Sequence, residues 1–208
     1  MLKTALILLN GEMRDPKSVR SAAKAADAVI CADGGSRHAK TLGIIPGFIV
    51  GDMDSLPRPL PRTWKKTVYW SDFGADRSDL NKALDFASSL GARRAIVAGA
   101  LGGGLDHEMI NLAVLEKEAK DLELTVIDGG TARLLGPGRH RLSLKKGARF
   151  SLLAAPRARL SLSGARYRLK NEVLARGSRG LGNRAEGAVT LVVLEGRVWA
   201  IDAGLFKV

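Results

Sequence analysis

At 208 residues and 46% hydrophobic content, the chain is long enough for one large domain or two small ones and has an ordinary globular composition. Its single cysteine, Cys31, excludes a disulfide within the chain and argues against a cysteine-rich zinc site, and a lone thiol fits a reducing cytoplasm. The net charge of +12 is uneven: residues 1–134 carry 18 Lys+Arg against 17 Asp+Glu, whereas residues 135–208 carry 15 against 4, which points to two domains with different duties.

The apolar run of residues 4–9 is the first expected strand. It is too short for a secretory leader and runs into Asn10-Gly11 and charged residues instead of a cleavage site. No stretch approaches the length of a membrane-spanning helix. Pro16 opens a short Ala-rich helix over about 17–26, and Ala28 to Ala32 form a second strand ending at Asp33-Gly34-Gly35. A helix over about 36–42 stops at Gly43, and Pro46 precedes a buried strand, Phe48-Ile49-Val50. That strand delivers Gly51-Asp52-Met53-Asp54-Ser55. Pro57, Pro59 and Pro61 mark an irregular connection to a short strand at Val68 to Trp70.

Leu80, Ala83, Leu84 and Ala87 recur at helical spacing in a helix that ends at Gly91, with Asp76 and Asp79 expected in its first turn. Ala95 to Ala98 form the next strand. It runs through a glycine-rich loop, Gly99 to Gly104, into a helix over about 107–119 with Asp106 placed as its N-cap. The loop lacks the Gly-Lys-Ser/Thr ending of a P-loop and does not match a dinucleotide fingerprint. Leu124 to Asp128 close this half as a strand. Alternating strands and helices imply a doubly wound, mostly parallel sheet over residues 1–134. From about Gly136-Pro137-Gly138 the texture changes. Segments 141–144, 150–153, 159–163, 189–193 and 198–201 alternate at period two between Gly and Pro turns, so residues 135–208 are expected to be an antiparallel β-sandwich.

Asp33, Asp52/Asp54, Asp76/Asp79 and Asp106 all follow strands of the one predicted parallel sheet. A cap or turn explains each of them singly. Neither explains why six acids should share a carboxyl edge, where mutual repulsion is costly without a cation. Open α/β sheets bind ligands at that edge, so the set reads as a divalent-metal site for phosphate chemistry.

The ordered set resembles the thiamine pyrophosphokinase family. The residues that carry the resemblance are Asp33-Gly34-Gly35, Pro46 through Ser55, Asp76-Arg77-Ser78-Asp79, Gly99 to Gly103, Leu105-Asp106-His107 and Asn111. Gly164 to Leu169 and Gly180 to Asn183 are similar to the family's thiamine-binding sandwich. The resemblance implies Mg²⁺-dependent transfer of diphosphate from ATP to the hydroxyl of thiamine, leaving AMP. It implies that Asp52, Asp54 and Asp79 hold Mg²⁺, with Asp33 in the metal or phosphate shell, and that Asp79 or Asp106 takes the alcohol's proton. Gly34, Gly102, Gly103 and His107 would face ATP, and Gly182 and Asn183 thiamine. It also implies a homodimer whose active sites are shared between chains.

Four positions depart from the family. Gly104 stands where an arginine is usual, with Arg77 or a sandwich arginine as a replacement cation. Ala75 and Ser78 alter the Asp76–Asp79 element, and Gly182 removes a hydroxyl from the thiamine loop. A second reading keeps the Mg-ATP chemistry and changes the alcohol to a pterin or thiamine analogue. A third, from the basic second half, is a nucleic-acid-binding module. Against it, the basic residues are scattered and the rings few: Phe150, Tyr167, Trp199 and Phe206.

Overall fold

The computed structural model describes residues 2–74, 76–118 and 122–202. Ala75 and Phe206 lie outside them. The chain divides into two compact units, Met1–Asp128 and Gly129–Val208.

In the first unit β1 (Thr4–Leu8), β2 (Ala28–Ala32), β3 (Phe48–Gly51), β4 (Val68–Ser71), β5 (Arg94–Ala98) and β6 (Glu123–Ile127) form one parallel sheet. Pairing in the order β4-β3-β2-β1-β5-β6 makes β1 the strand at which the winding reverses. Every residue of β1 and β2 is buried, as expected of strands covered on both faces. Leu6, Leu8, Val29, Cys31 and Ile49 pack with Val19 and Ala22 of α1 (Pro16–Ala25) and Ala39 of α2 (Ser36–Leu42). The apolar stripe Leu80, Ala83, Leu84 and Ala87 of α3 (Asp79–Ser89) is also buried but stands outside that cluster. Burying one such Leu or Ile stabilises by about 1.5–3 kcal/mol, so these two clusters fix the carboxyl edge of the sheet in place.

The helix ends show how local chemistry places the loops. Pro16 opens α1, and the Asp15 side chain accepts the Ser18 N–H at 3.0 Å. Gly43 closes α2 at φ +68, in the left-handed region. α3 starts at Asp79, later than the sequence suggests, because Ser78 is its cap and accepts the Asn81 N–H. Asp76 therefore precedes the helix. α4 (Leu105–Glu118) begins before Asp106, which sits inside the first turn and is not the cap. Among the described residues no helix is long and apolar enough to cross a membrane.

The second unit is antiparallel β. Its strands are β7 (Thr131–Leu135), β8 (Gly138–Leu142), β9 (Arg149–Ala165), β10 (Leu169–Ala175) and β11 (Asn183–Asp202). Strands β7 and β8 pair antiparallel with β11, and β10 with β9. Between β9 and β11, Thr190 meets Ser163 and Val193 meets Leu160, so these strands also run in opposite senses. The period-two residues Leu152, Ala154, Leu160, Leu162, Val189, Leu191 and Val193 fill one core. Two differences from the sequence reading stand out. The separate segments 150–153 and 159–163 join into β9, and 189–193 and 198–201 into β11, because bulges carry each strand through what reads as a break. The unit also starts at Gly129, before the expected boundary at 134/135, because β7 pairs with β11.

Candidate functional site

The site lies where β1 reverses the winding of the first unit. A cavity of about 650 Å³ opens at the carboxyl edge, walled by Asn10 and Gly11 after β1, Asp33 and Gly34 after β2, Asp52 and Ser55 after β3, Phe73 to Lys82 in part, and Gly99, Gly103, Gly104, His107 and Asn111. Close packing of backbone on backbone shapes its floor. A Cβ on Gly11 would stand 2.3 Å from the Leu101 carbonyl oxygen, and one on Gly34 would stand 2.7 Å from Asn10 Cγ.

The acids converge on the β2–β3 side. Carboxylate oxygens of Asp33, Asp52 and Asp54 lie within 4.8 Å of one another. Asp33 is 3% exposed and adopts φ +33, unusual for a non-glycine residue. Its Oδ2 accepts the Ser55 N–H at 3.1 Å, while Oδ1 is buried with no hydrogen-bond partner among the described residues. Burial first, then the nearby Asp79, Asp54 and Asp52, push its carboxyl up to about 6 against the pull of the Ser55 N–H. Ser55 Oγ donates to Asp54 Oδ1 at 2.9 Å, and Arg37 Nε to the Ser55 carbonyl at 2.9 Å, so the loop is held from outside.

Asp79, at the head of α3, borders this cluster. A Cβ on Gly51 would lie 2.8 Å from Asp33 Cβ and 3.4 Å from Asp79 Oδ1. Burial raises the Asp79 carboxyl above its ordinary value, Lys82 opposes that, and Asp52 and Asp54 add to it. Lys82, one turn along α3, is 6% exposed. Its Nζ donates to the Asp72 carbonyl at 2.8 Å and lies 3.8 Å from Asp79 Oδ1.

Three carboxylates and an orphaned buried oxygen suit a hard divalent cation such as Mg²⁺. With bonds of about 2.1 Å such an ion holds neighbouring oxygens about 3 Å apart and opposite ones about 4 Å apart. The observed spacing comes within a small side-chain movement of that.

The structure thus brings Asp33, Asp52 and Asp54 together with Asp79 beside them, and Gly34, Gly103 and His107 onto the wall. Two expected site residues stand elsewhere. Asp106 is exposed on α4, accepts the N–H of its neighbour His107 at 2.9 Å and is not part of the wall. Gly102 is likewise absent from the cavity wall. Its N–H goes to Glu108 Oε1 at 2.7 Å, and a Cβ on it would stand 2.1 Å from Glu12 Cβ, which leaves it no donor for a phosphate. Sequence reasoning missed Lys82, although Asp79 and Lys82 at i,i+3 were legible as one helix face. It also missed how Asn111 acts: its Nδ2 donates to the Ala100 carbonyl at 2.9 Å and pins the glycine-rich loop.

In the second unit, Asn183 is buried. Its Oδ1 accepts from Tyr167 N (3.0 Å) and Arg184 N (2.8 Å), and its Nδ2 donates to the Tyr167 carbonyl at 2.8 Å. These bonds leave one N–H of the amide for any ligand. Gly182, at φ +72, donates its N–H to Ser151 Oγ at 3.0 Å. Phe150 and Trp199 are buried, while Tyr167 is exposed with the Arg166 guanidinium 5.5 Å from its ring centre. Tyr167 is the one exposed ring among the described residues of this unit, and one ring is not a stacking platform for a nucleic-acid strand.

Residues 19–127 match the family model for "Thiamin pyrophosphokinase, catalytic domain". No curated protein sequence matches the chain. Among solved structures, the thiamine pyrophosphokinase of Bacillus subtilis superposes with a TM-score of 0.79 at 22% identity, covering 96% of this chain and 98% of that one. The enzyme of Geobacillus thermodenitrificans gives 0.79 at 24%, covering 96% of each chain. That of Candida albicans gives 0.75 at 17%, covering 96% and 89%. At these identities the superpositions speak for the fold.

Proposed function

The chain belongs to the thiamin pyrophosphokinase family, and from that premise we infer that it transfers the diphosphate group of ATP to the hydroxyl of thiamine, releasing AMP. The observation that carries this reading is the acid cluster at the winding reversal, with its one buried, unpartnered oxygen on Asp33.

We assign the metal to Asp33, Asp52 and Asp54, with Asp79 alongside. Bound there, Mg²⁺ would neutralise charge on the transferring phosphates and orient them for in-line attack. The chain's own residues do the rest. The Ser55 N–H fixes one oxygen of Asp33, and the other is left buried without a partner among the described residues. Gly51, lacking a side chain, lets Asp33 and Asp79 approach from either side. Gly103 and Gly104 open the backbone before α4, where N–H groups and the positive helix end favour phosphate. Asp79 lines the cavity and Asp106 does not, so Asp79 is our choice to receive the alcohol's proton.

Thiamine is taken up by a loop containing Gly182 and Asn183 of the Gly129–Val208 unit. The protein works as a homodimer in the reducing cytoplasm, which suits a single buried thiol. Neither a membrane nor a nucleic acid is a partner.

The test is AMP formation from ATP and Mg²⁺, with and without thiamine, beside an Asp54→Asn blank and a chelator control. Thiamine-dependent AMP matched by thiamine diphosphate, and none in either control, is the expected outcome. AMP that forms only with a pterin or thiamine analogue would replace the acceptor, and equal activity in the blank would remove the metal assignment.

A further inference from the structure

Lys82 is a buried ammonium whose partners among the described residues do not satisfy it. An ammonium has three donors. One goes to the Asp72 carbonyl, and Asp79 Oδ1 at 3.8 Å is close enough for an ion pair but too far for a hydrogen bond. The other two have no acceptor at bonding distance among the described residues, although the side chain is 6% exposed. Burying donors without acceptors is costly, and Lys82 lines the cavity together with Asp33, Asp52 and Asp79.

The two other cationic candidates on the wall are less suited to an anion. The Arg77 guanidinium is taken by Asp85, on the exposed side of α3. His107 sits exposed on the first turn of α4. Gly104 offers no side chain at all. A polyphosphate entering the cavity brings more negative charge than the metal removes, and a fixed positive group at the cavity wall offsets it. A lysine ammonium acts on phosphate as a compact point charge.

We propose that Lys82 is the phosphate-binding cation of this site, taking oxygens of the donor nucleotide's polyphosphate with the two N–H groups that find no acceptor among the described residues. Its bond to the Asp72 carbonyl holds the stem in place, and its ion pair with Asp79 keeps the head at the cavity wall while the nucleotide is absent. The inference rests on the Mg-ATP reading given above and assigns one residue within it. It differs from a role confined to neutralising Asp79. A neutraliser would alter Mg²⁺ binding and leave polyphosphate affinity unchanged once Mg²⁺ is saturating.

The experiment titrates the full chain with inorganic triphosphate at saturating Mg²⁺, by calorimetry, in wild type, Lys82→Met, Lys82→Gln, Lys82→Arg and Arg77→Ala, with circular dichroism to confirm folding. The expected result is at least a tenfold loss of triphosphate affinity in both neutral variants, recovery to within about threefold in Lys82→Arg, and a smaller loss in Arg77→Ala than in either neutral variant. Wild-type affinity in a folded neutral variant overturns the proposal and leaves the Mg-ATP reading standing. So does a larger loss in Arg77→Ala, or unfolding of both neutral variants, which would make the lysine structural. If wild type itself binds no triphosphate, the Mg-ATP reading falls and the role of Lys82 with it.

Discussion

Replacing Gly51 with alanine tests whether backbone geometry assembles the acid cluster. Gly51 has φ +147, a conformation that an L side chain adopts at a cost of about 1–3 kcal/mol. The new Cβ would stand 2.8 Å from Asp33 Cβ, about 1 Å inside ordinary carbon–carbon contact. Asp33 has no easy retreat, since it is buried, holds φ +33 and is tied to the Ser55 N–H. Overpacking of this kind adds about 1–3 kcal/mol. The total, about 2–6 kcal/mol, corresponds to a fall in Tm of roughly 5–20 °C for a chain of this size. Any relief must move Asp33 away from Asp52 and Asp54, so Mg²⁺ affinity should fall at least tenfold. Gly43→Ala is the control: it has φ +68 but no atom within 4 Å of its new Cβ, so it should cost about 1–2 kcal/mol and leave Mg²⁺ binding unchanged. The assay is thermal unfolding by circular dichroism together with Mg²⁺ calorimetry. Equal destabilisation in the two variants, with Mg²⁺ affinity intact in Gly51→Ala, would refute the argument.

Further outcomes can be checked in the same preparations. In chelator, Asp33 has a folded pKa of about 6, above its unfolded value of 3.8. Its contribution to stability is then full below pH 3.8 and is lost as pH rises through 6, a change of about 3 kcal/mol. Chemical denaturation from pH 4 to 7 should show this slope in wild type and a shallower one in Asp33→Asn, where the raised Asp79 carboxyl still contributes. At the head of α1, Asp15→Ala should cost about 1 kcal/mol. The Ser18 hydroxyl and N–H hold the Asp15 carboxyl below its ordinary value, so that contribution is present above pH 3.8 and disappears as pH falls through the lower folded value. Denaturation curves at pH 7 and below pH 3 would reveal it. Burial pushes the Cys31 thiol far up, so a thiol reagent should leave the native protein unmodified and react only on unfolding; rapid labelling of folded protein would contradict the packing of β2.

The first half of the fold was legible because each element carries its own signal. Phe48-Ile49-Val50 can only be a buried strand beside its Gly51 turn, and Leu80, Ala83, Leu84 and Ala87 repeat at helical spacing. Positions at element ends were harder to read. Ser78 and Asp76 compete to cap α3, and the hydroxyl's bond to the Asn81 N–H decides it, which no pattern of apolar residues records. In the second unit the strand pattern was legible and its continuity was not. A bulge keeps a strand going through residues that look like a turn, so β9 and β11 appeared as pairs of short strands. Strand β10 and the pairing of β7 with β11 depend on partners distant in sequence.

The acid cluster was visible for a different reason: like charges collected on one edge need an external cause. That argument works on residue types and topology, so it could find Asp33, Asp52, Asp54 and Asp79. It could not say that Asp106 is absent from the cavity wall, because that depends on which way a helix's first turn faces. Nor could it find Lys82, since a lysine one turn after an aspartate is most often a solvated ion pair worth a few tenths of a kcal/mol. Burial turns the same pair into something else. With the ammonium enclosed and two of its donors without an acceptor among the described residues, the pair sets a fixed positive charge beside the acids. A metal-bound polyphosphate has that same charge pattern in reverse.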